Sequence, residues 1–61
     1  MKTRFYINGK KTTRKAIKER IGEERLKRLI EEAKETYRED PLIQNDFFLG
    51  SAGMLTIEFE F

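Results

Sequence analysis

The chain is 61 residues long, 38% hydrophobic and 39% charged, with no Cys and no His. Those two absences exclude disulfides, Cys- or His-ligated metals, Ser-His and Cys-His catalysis, and a histidine pH switch. A domain of this size buries only about 60% of its unfolded surface, which leaves little room for a deep catalytic cleft.

Five Phe, six Ile and five Leu exceed what a disordered chain carries, so one folded mini-domain is expected over residues 1–61. Lys2 to Ile7 alternates Thr3, Phe5 and Ile7 against Lys2, Arg4 and Tyr6 and reads as a strand. Asn8-Gly9 follows, suited to a two-residue type I′ turn because both residues tolerate positive φ. Lys10-Lys11-Thr12 is then a short return strand. Thr12 or Thr13 offers a hydroxyl to cap a first helix over about 13–21, with Ala16, Ile17 and Ile21 on one side. Gly22 stops it, and Glu23-Glu24 opens a second helix at the end that favours negative charge. Leu26, Leu29, Ile30, Ala33 and Tyr37 form the apolar stripe of that helix. Glu24–Arg28 and Lys27–Glu31 are i, i+4 pairs on its wet side, and Pro41 ends it at or before Asp40.

Leu42-Ile43 is expected to tack the following connection to the core. Phe47-Phe48-Leu49, Gly50-Ser51-Ala52-Gly53 and Met54-Leu55 read as strand, four-residue turn and strand. The last strand sets Leu55, Ile57, Phe59 and Phe61 against Met54, Thr56, Glu58 and Glu60. If the first and last strands pair, Lys2 and Arg4 share an outer face with Glu58 and Glu60, a mildly stabilising opposition. The fold class is therefore α+β: a small sheet of three to four strands, the N-terminal strand plus a C-terminal hairpin, packed against a two-helix hairpin. Adjacent Phe47 and Phe48 point to opposite faces of a strand, so one of them leaves the core. With Phe61 they are the candidate protein-interface residues, and a small domain without a covalent staple is expected to use such surface in a homodimer.

No uninterrupted apolar run exceeds three residues, against roughly 20 for a membrane span. Phe5-Tyr6-Ile7 is also too short for a signal-peptide core. These features, with the missing Cys, predict a cytoplasmic protein with no membrane partner. Net charge is +2, but residues 1–28 hold eleven Lys/Arg against three Glu, and residues 29–61 hold two Lys/Arg against eight Asp/Glu. Each half attracts the opposite sign, so the split is a statement about partners.

The basic set Lys10, Lys11, Arg14, Lys15 and Lys18 carries the functional reading. Three of these residues share an exposed helix face and the two lysines extend it past the N-terminus, where phosphate oxygens meet both charge and free amides. Such contacts hold phosphate without reading base edges. The competing interpretations are a solvated face that keeps the protein soluble, or an acidic protein partner. Asn8-Gly9-Lys10-Lys11-Thr12 is a turn rather than a phosphate loop, because Arg4 stands where that loop needs a second glycine. A ribbon-helix-helix arrangement would make Lys2, Arg4 and Tyr6 the base readers, but leaves the C-terminal hairpin without a place. Gly50-Ser51-Ala52-Gly53 has the spacing of a backbone-clamping G-x-x-G loop, yet lies between apolar strands and reads as a hairpin turn. Glu58 and Glu60 sit beside Lys2 and Arg4, a setting of opposed charges rather than that of a general acid. Glu39, Asp40 and Asp46 match no metal-ligand spacing. No catalytic residue, metal or cofactor is assigned.

Phe5-Tyr6-Ile7-Asn8-Gly9-Lys10, Ile21-Gly22-Glu23-Glu24-Arg25-Leu26, Glu32-Ala33-Lys34-Glu35-Thr36 and Gly50-Ser51-Ala52-Gly53-Met54-Leu55-Thr56-Ile57 together resemble small uncharacterised accessory proteins of bacterial mobile elements. The resemblance implies a bacterial cytoplasmic setting and a binding or regulatory role, and transfers no site. The expectation is a non-enzymatic module whose basic N-terminal surface contacts nucleic acid. The alternative is a protein-interaction adaptor or inhibitor acting through the acidic C-terminal half or exposed Phe.

Overall fold

Asn8 and Gly9 both adopt positive φ, 51° and 80°, the backbone of a type I′ turn. They fold Lys10–Thr12 (β2) onto Lys2–Ile7 (β1), with Ile7 opposite Lys10 and Phe5 opposite Thr12. The computed structural model describes residues 2–60. Over them the chain continues through Arg14–Ile21 (α1), Glu23–Glu39 (α2), Asn45–Phe48 (β3) and Met54–Glu60 (β4). The result is the expected α+β mini-domain, with four antiparallel strands in the order β2-β1-β4-β3 and both helices packed on one face. The first and last strands pair, Lys2 opposite Glu60 and Arg4 opposite Glu58.

Local chemistry sets the helix ends. The Thr13 hydroxyl oxygen accepts from the Ala16 N–H at 3.2 Å, and the Gly22 N–H donates to the Lys18 carbonyl at 2.8 Å. Helix α2 closes where the Asp40 N–H reaches the Thr36 carbonyl at 2.9 Å. Ile17 of α1 and Leu26, Ile30 and Ala33 of α2 meet Phe5, Leu55 and Ile57 of the sheet, with Leu49 completing the core. Full burial of such an aliphatic side chain contributes about 1.5–3 kcal/mol. At one end the Tyr37 and Phe59 rings lie 5.3 Å apart, tilted by 54°.

Several expectations are corrected. Leu42 and Ile43 do not tack the connection down; they are 93% and 51% exposed. The Asp40 carboxylate accepts from the Leu42 N–H at 3.0 Å and its carbonyl from the Ile43 N–H at 3.1 Å. This tight local turn satisfies its own backbone and carries both side chains outward. The C-terminal hairpin has a strand that starts earlier and a loop that is longer than predicted. Asn45 already pairs with Ile57, while Leu49 leaves the strand, becomes buried, and is followed by a 3₁₀ turn over Gly50–Ala52. The pairs Glu24–Arg28 and Lys27–Glu31 do not close among the described residues, whereas Lys34–Glu31 does, at 3.8 Å. Long exposed side chains gain little by holding one geometry. A ribbon-helix-helix arrangement does not fit, because β1 pairs along its whole length with β4 of its own chain and, from Phe5 to Ile7, with β2 as well. Among the described residues no helix is long and apolar enough to cross a membrane.

Candidate nucleic-acid interface

The short length of β2 creates the site. It ends at Thr12, opposite Phe5, so Lys2, Thr3 and Arg4 run on without a neighbour on that side. The chain then turns at Thr13 into α1, leaving a shallow groove of about 580 Å³ between the β1 edge and the helix start. Lys2, Arg4, Lys11 and Arg14 line it, with Thr3, Thr12, Thr13 and Phe5, and no acidic residue is among the lining residues. Backbone alternation adds another polar group. Ile7 and Phe5 direct their N–H and C=O toward β2, and Thr3, two residues further along, directs its own past the end of β2.

Of the five cations read from the sequence, the groove gathers Lys11 and Arg14. Lys10 alternates to the helix-side face beside Ile7. Lys15 and Lys18 are exposed on α1, and the Lys18 ammonium lies 3.5 Å from the Glu23 carboxylate. The groove recruits two cations outside that set, Lys2 and Arg4. Their signal was the alternation that put them on the face opposite the core, but only the observed register joins them to Lys11. Arg4 is paired with Glu60; among the described residues Lys2, Lys11 and Arg14 form no ion pair.

The charge split becomes a division across the open face of the sheet. Lys2, Arg4 and Lys11 lie on β1 and β2, and Glu58, Glu60 and Asp46 on β4 and β3. The rows join Lys11, Tyr6, Thr56 and Asp46 in one line across four strands. Asp46 is anchored there, its Oδ1 accepting from the Thr56 hydroxyl at 2.5 Å and from the Gln44 amide at 3.2 Å. Among the described residues no group of three or more acidic side chains is placed to hold a metal ion. Of the Phe residues expected at an interface, Phe48 is 74% exposed, Phe47 packs against the core, and Phe61 lies outside the described residues.

Comparison with protein-family models, curated proteins and solved structures yields no match to this chain.

Proposed function

We propose that this chain is a non-enzymatic binding module that holds nucleic acid by its phosphates along the β1–β2 edge and the start of α1, in a bacterial cytoplasm. The observation that carries this reading is the groove in which Lys2, Lys11 and Arg14, none of them in an ion pair among the described residues, come together with three threonines beside Arg4, the one cation there that a carboxylate, Glu60, already pairs. Cations and hydroxyls are the groups that contact phosphate oxygens. The acidic strands repel phosphate from the far side and confine contact to one edge. The test is a titration of labelled nucleic acid at about 50 mM salt, where electrostatic binding is strongest, repeated at rising salt. Affinity is expected to fall with a log–log slope of about −0.9 per phosphate contacted on duplex DNA. Reversing Lys2, Lys11 and Arg14 together is expected to abolish binding and leave melting unchanged, since none belongs to the core. Absence of binding at tens of micromolar protein overturns the reading.

A second reading has its own observation. Among the described residues Leu42, Ile43, Phe48 and Met54 are the exposed large hydrophobics; Leu42 and Ile43 precede β3, the free edge strand on the acidic side, and Phe48 ends it opposite Met54. This surface supports a protein contact, including the homodimer expected for so small a domain.

A further inference from the structure

Both helices cover one face of the sheet, and the other face is open. Lys2, Arg4, Lys11, Asp46, Glu58 and Glu60 are exposed on it. At its centre, on β1, stands Tyr6, half-buried, with Lys11 directly across on β2 and Thr56 directly across on β4. Arg4, two residues earlier, occupies the same face. Beside the Tyr6 ring is a shallow depression of about 290 Å³, walled by Gln44, Thr56 and Glu58 and reaching Gly9. The aromatic side chain therefore sits on the boundary between the cationic and the acidic strands.

We infer that the open face is a platform for single-stranded nucleic acid, with one unpaired base stacked on Tyr6 and the phosphates following Lys2, Arg4 and Lys11. This inference rests on the phosphate-binding reading and adds the ligand class to it. Three features single out an unpaired strand. An aromatic ring flanked by cations offers a stacking surface to any base, but only when that base is not already stacked inside a duplex. The division of charge matches a nucleotide laid across the strands: the anionic phosphates lie over β1 and β2, and the neutral base points toward β4 and β3. Glu58 and the Gln44 side-chain carbonyl oxygen are then acceptors for a base amino group, a use for carboxylates that repel phosphate. A duplex presents phosphates on both sides of each groove and would set one strand against Glu58 and Glu60.

The experiment compares a 12-nucleotide single-stranded DNA, the matching duplex and polyglutamate against the parent chain, Tyr6→Phe and Tyr6→Leu, in low salt. Duplex carries about twice the charge per unit length, so electrostatics alone favours it. The expected result is tighter binding of the single strand than of the duplex or polyglutamate. Tyr6→Phe keeps this preference, and Tyr6→Leu, which fills the site without a π face, loses at least about fivefold in single-strand affinity. Duplex affinity and melting temperature stay the same in all three proteins. Equal losses on duplex and single strand, no loss in Tyr6→Leu, or polyglutamate bound as tightly as DNA overturns the stacking inference. In the first two cases salt-dependent DNA binding survives, so the phosphate-binding reading stands; no binding of any nucleic acid fails both. If Tyr6→Leu does not fold, Tyr6→Trp in the same assay decides, since a larger ring is expected to tighten the single strand alone.

Discussion

Gly53 has φ 96°, and a Cβ added to it would lie 2.6 Å from the Asn8 side-chain nitrogen. Both the backbone conformation and the space therefore require glycine there. Asn8 in turn accepts from the Met54 N–H at 3.0 Å and donates its own N–H to the Met54 carbonyl at 2.9 Å. The two turns of the sheet are thus pinned to each other at one point. Gly53→Ala is expected to cost about 1–3 kcal/mol through strain at a left-handed position, read as a lower midpoint in urea unfolding. Asn8→Ala removes the side-chain bond and the preference for positive φ, and is expected to cost about 1–2 kcal/mol by the same measurement. The turn at Asn8-Gly9 was legible because that dipeptide has few other uses between two short strands. Its attachment to Gly53-Met54 was not, because nothing local marks a contact between segments so far apart in sequence. Lys11 and Tyr6 show the same limit: each side chain's face follows from alternation, but their adjacency follows from register.

Elements with a strong period were the readable ones. Helix α2 and strand β4 each bury a regular stripe, and the residues they bury are all apolar. One distinction within the α2 stripe needed the packing. Leu26 is fully buried, whereas Leu29 is only partly buried at the core margin. Leu26→Ala and Ile57→Ala are each expected to cost about 2–5 kcal/mol, enough to unfold a marginal domain, and Leu29→Ala clearly less. Equal melting temperatures for Leu26→Ala and Leu29→Ala would contradict this packing. Thr13→Ala, which deletes the α1 cap, is expected to cost about 1 kcal/mol in the same experiment. Strand β3 resisted reading because its pattern runs against type: Asn45 is a buried polar residue inside the strand, and Leu49 is a buried apolar residue outside it. The Leu42-Ile43 segment misled for a related reason. Hydrophobicity predicts burial only where the chain has no better use for its backbone, and the Asp40 turn provides one.

At the scale of the molecule, the linear charge split of the sequence becomes a lateral one. Pairing β1 with β4 sets the basic and acidic segments side by side rather than at opposite ends. The net charge of +2 therefore understates the field on either edge. That pairing was legible from the opposed charges of Lys2, Arg4, Glu58 and Glu60, but its direction and the groove beside it were not, since both depend on where β2 stops. If the β3 edge with Phe48 mediates self-association, light scattering is expected to give about twice the 7.3 kDa chain mass, and Phe48→Glu is expected to restore the monomer. The central claim concerns the opposite edge. It is tested most directly by residue-resolved amide NMR spectra recorded while single-stranded DNA is added at about 50 mM salt. Contact by the basic edge predicts the largest changes at Lys2 to Tyr6, Lys11 and Arg14, reversed by added salt. An unchanged spectrum at tens of micromolar protein, or changes confined to β3 and the Leu42-Ile43 turn, would contradict it.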